Sequence, residues 1–461
     1  MKNFFRTLSE MRVFLLLWLS QSFSTLGSSM TAYALVIWAY HQNHSALDTA
    51  FLMVCSYAPY VLCSIFAGTL SDRWDKKKIM LVCDSAAAFS TLLVLLLFLT
   101  GRLEIWHIYI VNAFSGLMNT VQQPASEVAV SRVLPKKYYQ KEGSFRYLSS
   151  SVNSIFTPVM TTAITGIFGM KTVILFDLFT FLAAFLILLF FIKIPVNNPD
   201  DIQNESFLHS MKSGMNWLKK EPGIFTLIMF LSSINFVASM YEAVFPAMML
   251  SRNGGSEKIM GIVNAVIGIS TLLGSIAASL SKTPKSRVKV ICNCLLFSMS
   301  TENFLLAFGQ NVWIWSIAGF LGWIAIPLMN TNLSAVMRLK IPESMQGRVY
   351  SVRNSFQFFT IPIGYFIGGF VVDCIFEPFM LSQNNSIIST LFGTGKGSGA
   401  ALFFFIIGFL GIVICLYFRS RKSIWQLEFE KEKYIEIKLS ISLHSFKKLC
   451  IFYISLELLN L

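Results

Sequence analysis

The stretch GTLSDRWDKKKI, residues 68–79, lies between two long apolar runs, SYAPYVLCSIFA before it and MLVCDSAAAFSTLLVLLLFL after it. Apolar runs of about 20 residues are long enough to cross a bilayer as helices. Short loops rich in lysine and arginine stay on the cytoplasmic side of a membrane. The cations Arg73, Lys76, Lys77 and Lys78 therefore predict a cytoplasmic loop that joins two transmembrane helices.

The composition of the whole chain indicates a polytopic membrane protein. Of 461 residues, 54% are hydrophobic and only 13% are charged, which excludes an ordinary soluble domain. The first apolar run, residues 13–40, lacks a signal-peptidase pattern and is followed by further runs, so we expect a retained span. The net charge of +13 is spread over many loops rather than gathered in one domain. We therefore attribute it to membrane topology and expect no nucleic-acid partner.

The apolar pattern predicts an all-α membrane protein with twelve transmembrane helices in two six-helix bundles. A polar stretch near the middle of the chain separates the two sets of six spans. The predicted domains are an N-terminal bundle (1–194), a cytoplasmic linker (195–222), a C-terminal bundle (223–420) and an atypical cytoplasmic tail (421–461). The predicted spans are residues 13–40, 47–71, 79–100, 104–131, 142–168, 171–193, 223–250, 257–281, 288–308, 311–337, 346–373 and 399–418.

The distribution of positive charge predicts which side each loop occupies. Most of the 37 lysines and arginines fall in the terminal segments and in the loops on the same side as residues 68–79. The loops predicted on the opposite side carry only Arg102, Lys171, Arg252, Lys258 and Lys396. Both termini are therefore predicted to be cytoplasmic.

The two halves of the chain also share an internal pattern. Arg132 to Pro135 follows span 4 and precedes a helix that contains Pro158, and Arg338 to Pro342 follows span 10 and precedes a helix that contains Pro362. Six-span repeats of this kind are typical of secondary transporters.

The loop at 68–79 resembles the major facilitator superfamily, in which the loop between spans 2 and 3 reads G-x-L-x-D-R-x-G-R-K/R. Asp75 stands in place of the second glycine and Lys76 in place of an arginine, as in the drug-exporter branch that resembles macrolide efflux proteins. Span 1 is similar to the same branch through Gln21 and the run Leu26-Gly27-Ser28-Ser29. The resemblance extends to about Arg421 and implies alternating access by two bundles. It also implies that spans 1, 4, 7 and 10 surround a central cavity, and it assigns a gating motif to Gly68, Leu70, Asp72, Arg73, Lys76 and Lys77. In the family, this motif holds the cytoplasmic side closed.

Enzyme, metal and cofactor motifs are missing from the sequence. The phosphate-binding pattern G-x-x-x-x-G-K-[ST] is absent, which argues against ATP-driven transport. The eight cysteines lack the spacing of zinc or redox motifs and are predicted to be core residues. The histidines are predicted to be loop residues. We therefore expect a non-enzyme without cofactor or metal that uses an ion gradient.

Polar side chains recur on one face of four predicted spans. A charge at the centre of a spanning helix costs about 2.5–3.5 kcal/mol on insertion scales, so such faces need a polar surrounding. The spacing of three, four and seven residues places each set on a single helical face. The candidate substrate or proton pathway comprises Gln21 and Thr25 in span 1, Asn119, Gln122, Gln123 and Glu127 in span 4, Asn235 and Glu242 in span 7, and Asn330 in span 10.

The acidic residues of the spans receive different predicted roles. Glu242 is predicted to carry a proton or bind a cation, whereas Glu127 either does the same or pairs with Arg132 at the membrane surface. Asp84 and Asp177 are assigned mainly to hydrogen bonds between helices. A further glutamate, Glu302, is predicted to face water at the end of span 9.

Aromatic and methionine side chains in the spans suit a bulky amphipathic substrate; they are Tyr33, Tyr57, Tyr60, Phe156, Met160, Tyr241 and Phe356. The predicted function is proton-coupled efflux of amphipathic small molecules, macrolide-type drugs or similar compounds, by a monomer in the lipid bilayer of a bacterial inner membrane. Two alternatives remain open. One is export of a lipid or a siderophore by the same fold, and the other is a transport-inactive sensor or scaffold.

Overall fold

The structure is a computed structural model that describes residues 10–134, 139–194, 207–383 and 387–428. Within these ranges the side chains of residues 64–73, 131, 139–144, 146–147, 207–211, 343–344, 346–348 and 351 are not described. The predicted C-terminal tail from residue 429 onward lies outside the described residues.

Twelve spans in two six-helix bundles make up the described chain, as the sequence predicts. Their bounds differ from the predicted ones by a few residues at most positions. Spans 1 to 6 are Arg12–Asn43, Ala46–Arg73, Lys76–Leu99, Ile105–Val133, Tyr139–Phe168 and Met170–Leu186 continued by the π-helical turn Ile187–Phe191. Spans 7 to 12 are Pro222–Ser251, Glu257–Leu280, Arg287–Phe308, Val312–Ile324 with Ile326–Lys340, Glu343–Val371 with the π-helical turn Val372–Phe376 and Glu377–Ser382, and Ser398–Ser420.

Span 10 is broken, although its apolar pattern predicts one continuous helix. Its two halves meet at Ala325, and Pro327 occupies the first turn of the second half. Proline has no backbone N–H, so it is tolerated in a first turn and interrupts the hydrogen-bond ladder elsewhere. Span 11 extends beyond the predicted residue 373, because a π-helical turn there leads into a further short helix that ends at Ser382.

Small residues let the spans of each bundle approach closely. In the C-terminal bundle, a Cβ atom on Gly364 would lie 2.6 Å from the carbonyl oxygen of Phe236 in span 7. A Cβ atom on Gly368 in the next turn would lie 3.0 Å from the carbonyl oxygen of Met240. Spans 7 and 11 therefore pack through a glycine face, as is common where lipid provides no hydrophobic drive for association.

Nine of the described helical spans are long and apolar enough to cross a membrane by composition alone. The spans outside this set are 1, 4 and 5. Large apolar side chains on spans 3, 6 and 12, such as Phe89, Phe179 and Val413, are exposed on the protein surface, where lipid would cover them. The lower hydropathy of spans 1, 4 and 5 thus indicates that part of their surface faces something other than lipid.

Two short helices pack at the membrane side that carries the start of span 1 and the end of span 12, which we call the terminal side. We call the opposite side the distal side. The linker contains the amphipathic helix Phe207–Lys220, whose Leu218 is buried. Residues 422–428 form a second helix, with Ile424 fully buried and the side chain of Leu427 against Gly223 of span 7. The first residues of the predicted tail therefore pack against the C-terminal bundle.

Candidate functional site

A cavity of about 780 Å³ lies inside the N-terminal bundle, between spans 1, 3, 4, 5 and 6. It runs from Phe14 and Val130, near the terminal ends of spans 1 and 4, to Ser28 and Asn119 at the middle of the same spans. Pockets of about 300–1,000 Å³ accommodate drug-sized molecules. The cavity thus has the volume of a small-molecule site and reaches about halfway across the membrane.

Asp84 of span 3 links three spans at the wall of this cavity. Its Oδ1 atom accepts a hydrogen bond from Gln122 Nε2 of span 4 at 2.5 Å. Its Oδ2 atom accepts a longer one from Gln21 Nε2 of span 1 at 3.4 Å. These contacts agree with the predicted role of Asp84 between helices. They also leave the carboxylate beside the cavity, because all three residues line it.

Asp177 of span 6 forms a second carboxylate position. It is 3% exposed, and its Oδ1 atom accepts a hydrogen bond from Ser28 Oγ of span 1 at 2.9 Å. The hydroxyl of Thr91 in span 3 lies 3.5 Å from Oδ2. Gly27 allows this approach, since a Cβ atom there would lie 3.0 Å from Asp177 Cα. Spans 1, 3 and 6 therefore meet around this carboxylate.

The lining of the cavity is acidic. Asp84, Glu127 and Asp177 contribute carboxyl groups, and the described lining residues include no lysine, arginine or histidine. Charges in a low-dielectric surrounding act over longer distances than in water. The cavity is therefore suited to a proton or to a ligand that carries positive charge.

Six of the nine candidate pathway residues line this cavity, namely Gln21, Thr25, Asn119, Gln122, Gln123 and Glu127. The polar faces of spans 1 and 4 thus meet in one place. Spans 3, 5 and 6 complete the lining of this cavity. The cavity between spans 1, 4, 7 and 10 that the family resemblance implies stays a prediction.

The other three candidates lie in the C-terminal bundle. Glu242 is partly exposed, and its Oε2 atom accepts a hydrogen bond from the Tyr365 hydroxyl of span 11 at 2.7 Å. Asn235 is partly exposed in span 7, and Asn330 is exposed in the second half of span 10. The structure does not bring these three residues into the acidic cavity.

An aromatic cluster joins the two bundles near Glu242. The ring centroid of Tyr57 in span 2 lies 6.3 Å from that of Tyr365 and 6.1 Å from that of Phe358 in span 11. The ring of Tyr60 lies 5.5 Å from Phe358. Glu242 therefore approaches the bundle interface through Tyr365, beside rings from both halves.

The prediction that Glu302 faces water is wrong. Its side chain is 6% exposed, and its Oε1 atom accepts a hydrogen bond from Trp323 Nε1 of span 10 at 3.0 Å. A Cβ atom on Gly322 would lie 2.7 Å from Glu302 Cβ, so the glycine makes room for the glutamate. Its position near the end of span 9 suggested exposure to water, but the residue points into the bundle rather than outward.

The distal side of the structure is closed by contacts between the bundles. Asp373, in the π-helical turn of span 11, accepts a hydrogen bond from Ser45 Oγ at 2.7 Å. It also accepts hydrogen bonds from the backbone N–H groups of Ala46 at 3.1 Å and Leu47 at 2.8 Å. These groups begin span 2, and a carboxylate at a helix N-terminus is stabilised by the helix dipole. A residue of one bundle thus caps a helix of the other.

Further distal contacts lie on the same interface. His41 Nε2 at the end of span 1 is 2.8 Å from Glu257 Oε1 at the start of span 8. Asn264 Nδ2 of span 8 donates a hydrogen bond to the Tyr33 hydroxyl at 3.2 Å. Gly268 of span 8 packs on span 5, since its Cβ would lie 3.1 Å from a backbone nitrogen there. The two bundles therefore touch from the distal surface to about the middle of the membrane.

The structure describes the side chains of only part of the gating motif. The side chains of Leu70, Asp72 and Arg73 are not described, so the latch implied for this motif, which also includes Gly68, stays a prediction. Lys76 is 3% exposed, and its Nζ atom donates a hydrogen bond to the Trp74 carbonyl at 3.0 Å.

Two charged residues of the same stretch form hydrogen bonds with backbone groups at helix ends. Lys77 Nζ donates hydrogen bonds to the carbonyl oxygens of Leu189 and Ile192, at 2.9 Å and 2.8 Å, where span 6 ends. Asp75, which replaces the usual glycine, accepts a hydrogen bond from the Lys78 N–H at 3.0 Å and caps span 3. The Asp75 substitution is therefore compatible with the loop, because it satisfies a free N–H group.

Known transporters are similar to this chain in sequence. The family model of the major facilitator superfamily matches residues 17–365. Macrolide efflux protein A of Streptococcus pyogenes is 22% identical over 367 residues, which cover 78% of this chain and 90% of that protein. The multidrug efflux pump Tap of Mycolicibacterium fortuitum is 22% identical over 362 residues, which cover 75% and 86%.

Solved structures share the architecture at lower identity. A bacterial homologue of the iron transporter ferroportin, in an inward-facing state, has a TM-score of 0.63 at 14% identity and covers 89% of this chain and 99% of that one. The nucleoside transporter NupG has a TM-score of 0.60 at 13% identity and covers 88% and 98%. These likenesses show the fold, and the family match covers most of the chain. The chain therefore belongs to the major facilitator superfamily, whose members are multi-pass membrane transporters of small molecules and not enzymes.

Proposed function

We propose that this transporter exports amphipathic small molecules from the cytoplasm in exchange for protons. The observation that carries the proposal is the acidic cavity inside the N-terminal bundle. Its volume suits a drug-sized compound, and its lining supplies carboxyl and amide groups for a polar or cationic end. The efflux activity named for two relatives supports export over import.

The cavity begins at the terminal side, which the positive-inside pattern assigns to the cytoplasm of a bacterial cell. With the distal side closed by Asp373 and its neighbours, this conformation would receive substrate from the cytoplasm. Alternating access then requires the distal contacts to break while the gating motif around Asp72 forms its latch. We propose that one chain is sufficient for this cycle.

Proton exchange is assigned to Glu242. A carboxyl group beside apolar and aromatic rings can carry a proton in one conformation and release it in another, where water reaches it. Glu242 contacts Tyr365 at the bundle interface, which is the surface that opens and closes during transport. Rearrangement of that interface would change the surroundings of the carboxyl group directly.

Accumulation of a fluorescent amphipathic dye in cells tests the proposal. Cells that produce the protein should accumulate less dye than cells without it, and a protonophore should abolish the difference. Asp84→Asn should reduce export, because it removes a charge from the cavity wall. Glu104→Gln is the matched control, since Glu104 lies in the loop at the distal end of span 4, away from the cavity lining.

Two results would argue for another function. Equal dye accumulation with and without the protein, repeated with chemically diverse antibiotics, would favour a sensor or scaffold. Export that persists with protonophore present would refute proton coupling.

A further inference from the structure

Glu302 is a buried acidic residue that the proposed transport cycle does not use. Trp323 Nε1 donates to one of its carboxyl oxygens, and Gly322 packs against the rest of the side chain. An indole N–H is a neutral donor, so it does not balance a negative charge. Among the residues that the structure describes, no cationic side chain is found bonded to Glu302.

Neighbouring elements place few charges around this carboxyl group. Span 7 contributes Tyr241, whose hydroxyl is buried, and Glu242, and both lie within electrostatic range of Glu302. Span 12 packs on span 9 through Gly408 and Gly411, and its titratable residues from Cys415 onward lie toward the terminal side.

Arg252, which follows span 7, contacts the distal end of span 9 and is already hydrogen-bonded there. Arg252 donates hydrogen bonds to the carbonyl oxygens of Leu306 and Ala307, one turn beyond Glu302, and to that of Phe392. An ionised carboxylate buried without a cationic partner is strongly disfavoured. Glu242, the residue after Tyr241 in span 7, adds repulsion whenever both groups are ionised.

The surroundings of Glu302 include a break in a transmembrane helix. Span 10 breaks at Ala325, two residues after Trp323, and resumes at Ile326 with Pro327 in its first turn. Discontinuous spans in transporters commonly border binding sites for ions and substrates. A change in the direction of span 10 at this break would move the indole that holds Glu302.

We propose that Glu302 is a second proton-binding group of this transporter, and that its protonation is linked to bending of span 10 at Ala325. The inference rests on proton-coupled transport as proposed above. In the distal-closed conformation Glu302 holds a proton and accepts the hydrogen bond from Trp323. When span 10 bends, the indole withdraws, water reaches the carboxyl group, and the proton leaves.

Infrared and fluorescence titration of the purified protein in lipid nanodiscs tests the inference. At neutral pH the wild-type protein should show a carbonyl band from buried protonated carboxyl groups, and Glu302→Gln should lose part of that band. The same substitution should abolish the pH-dependent change in tryptophan emission that Trp323→Phe also abolishes. Glu104→Gln, a change at an exposed carboxylate, should leave the infrared band unchanged. It is a control for the infrared signal alone, because Trp106 Nε1 donates a hydrogen bond to Glu104 Oε2.

A second variant keeps the test decisive if Glu302→Gln fails to fold. Trp323→Phe retains the carboxyl group and removes its donor, so the infrared band should shift in frequency rather than disappear. An infrared band that both substitutions leave unchanged would overturn the proposal. The titration does not require transport, so a failure of dye export would refute the proposed function without being mistaken for failure of this site.

Discussion

Asp373 joins the two bundles on the distal side, and we expect Asp373→Asn to favour opening of that side. The carboxylate accepts three hydrogen bonds from Ser45, Ala46 and Leu47 at the start of span 2. Hydrogen bonds to charged groups contribute about 1.5–3 kcal/mol each, and a charge at a helix N-terminus adds about 0.3–1 kcal/mol. Asparagine keeps the shape and part of the bonding.

We therefore expect the substitution to destabilise the closed state by about 1–3 kcal/mol, which corresponds to about 5–150-fold in the conformational equilibrium. The assay is pulsed electron paramagnetic resonance, which measures the distance between spin labels attached at positions 102 and 253, in place of Arg102 and Asn253. These residues are exposed in distal loops of the two bundles. Replacing the eight native cysteines with serine would prevent labelling elsewhere. Asp373→Asn should increase the population at longer distances.

Glu377→Gln provides a matched control for this experiment. Glu377 Oε1 accepts hydrogen bonds from the backbone N–H groups of Gly397 and Ala400 at the start of span 12, within the C-terminal bundle. Its loss should lower stability but leave the distance distribution unchanged. The reasoning is refuted if Asp373→Asn also leaves the distribution unchanged, or if both substitutions shift it equally.

Three further predictions concern coupling and stability. Glu242→Gln should abolish substrate movement driven by a pH gradient in proteoliposomes while substrate binding is retained, and unchanged driven transport would exclude this residue from coupling. Burial lowers the pKa of Arg252 to about 10, so the side chain stays charged at neutral pH and its three carbonyl contacts persist. Arg252→Ala should therefore destabilise the fold by about 3 kcal/mol, seen as a lower thermal midpoint, with a smaller loss for Arg252→Lys; equal midpoints would contradict this. Gly364→Ala should lower the thermal midpoint because its Cβ would meet a carbonyl oxygen of span 7 at 2.6 Å, whereas Gly166→Ala, with open space around it, should not.

The location of the candidate site could be predicted only in part. The spacing of Gln21, Asn119 and Glu127 places them on polar helix faces, and the structure brings those faces together. Spacing gives the angular position of a side chain on its own helix, but not the neighbour which that angle meets. For this reason the spacing alone could not show that these side chains share a cavity wall with Asp84 and Asp177.

The sequence by itself determined the twelve spans, their division into two sets and most of their ends. Each depends on a local quantity, since a helix must carry enough apolar residues to cross the hydrocarbon layer. Tertiary structure decided the burial of Glu302 and the contact of Asp373 with span 2. These features depend on how helices are rotated and packed against one another, and residues far apart in the chain, such as Ser45 and Asp373, meet only when that packing forms.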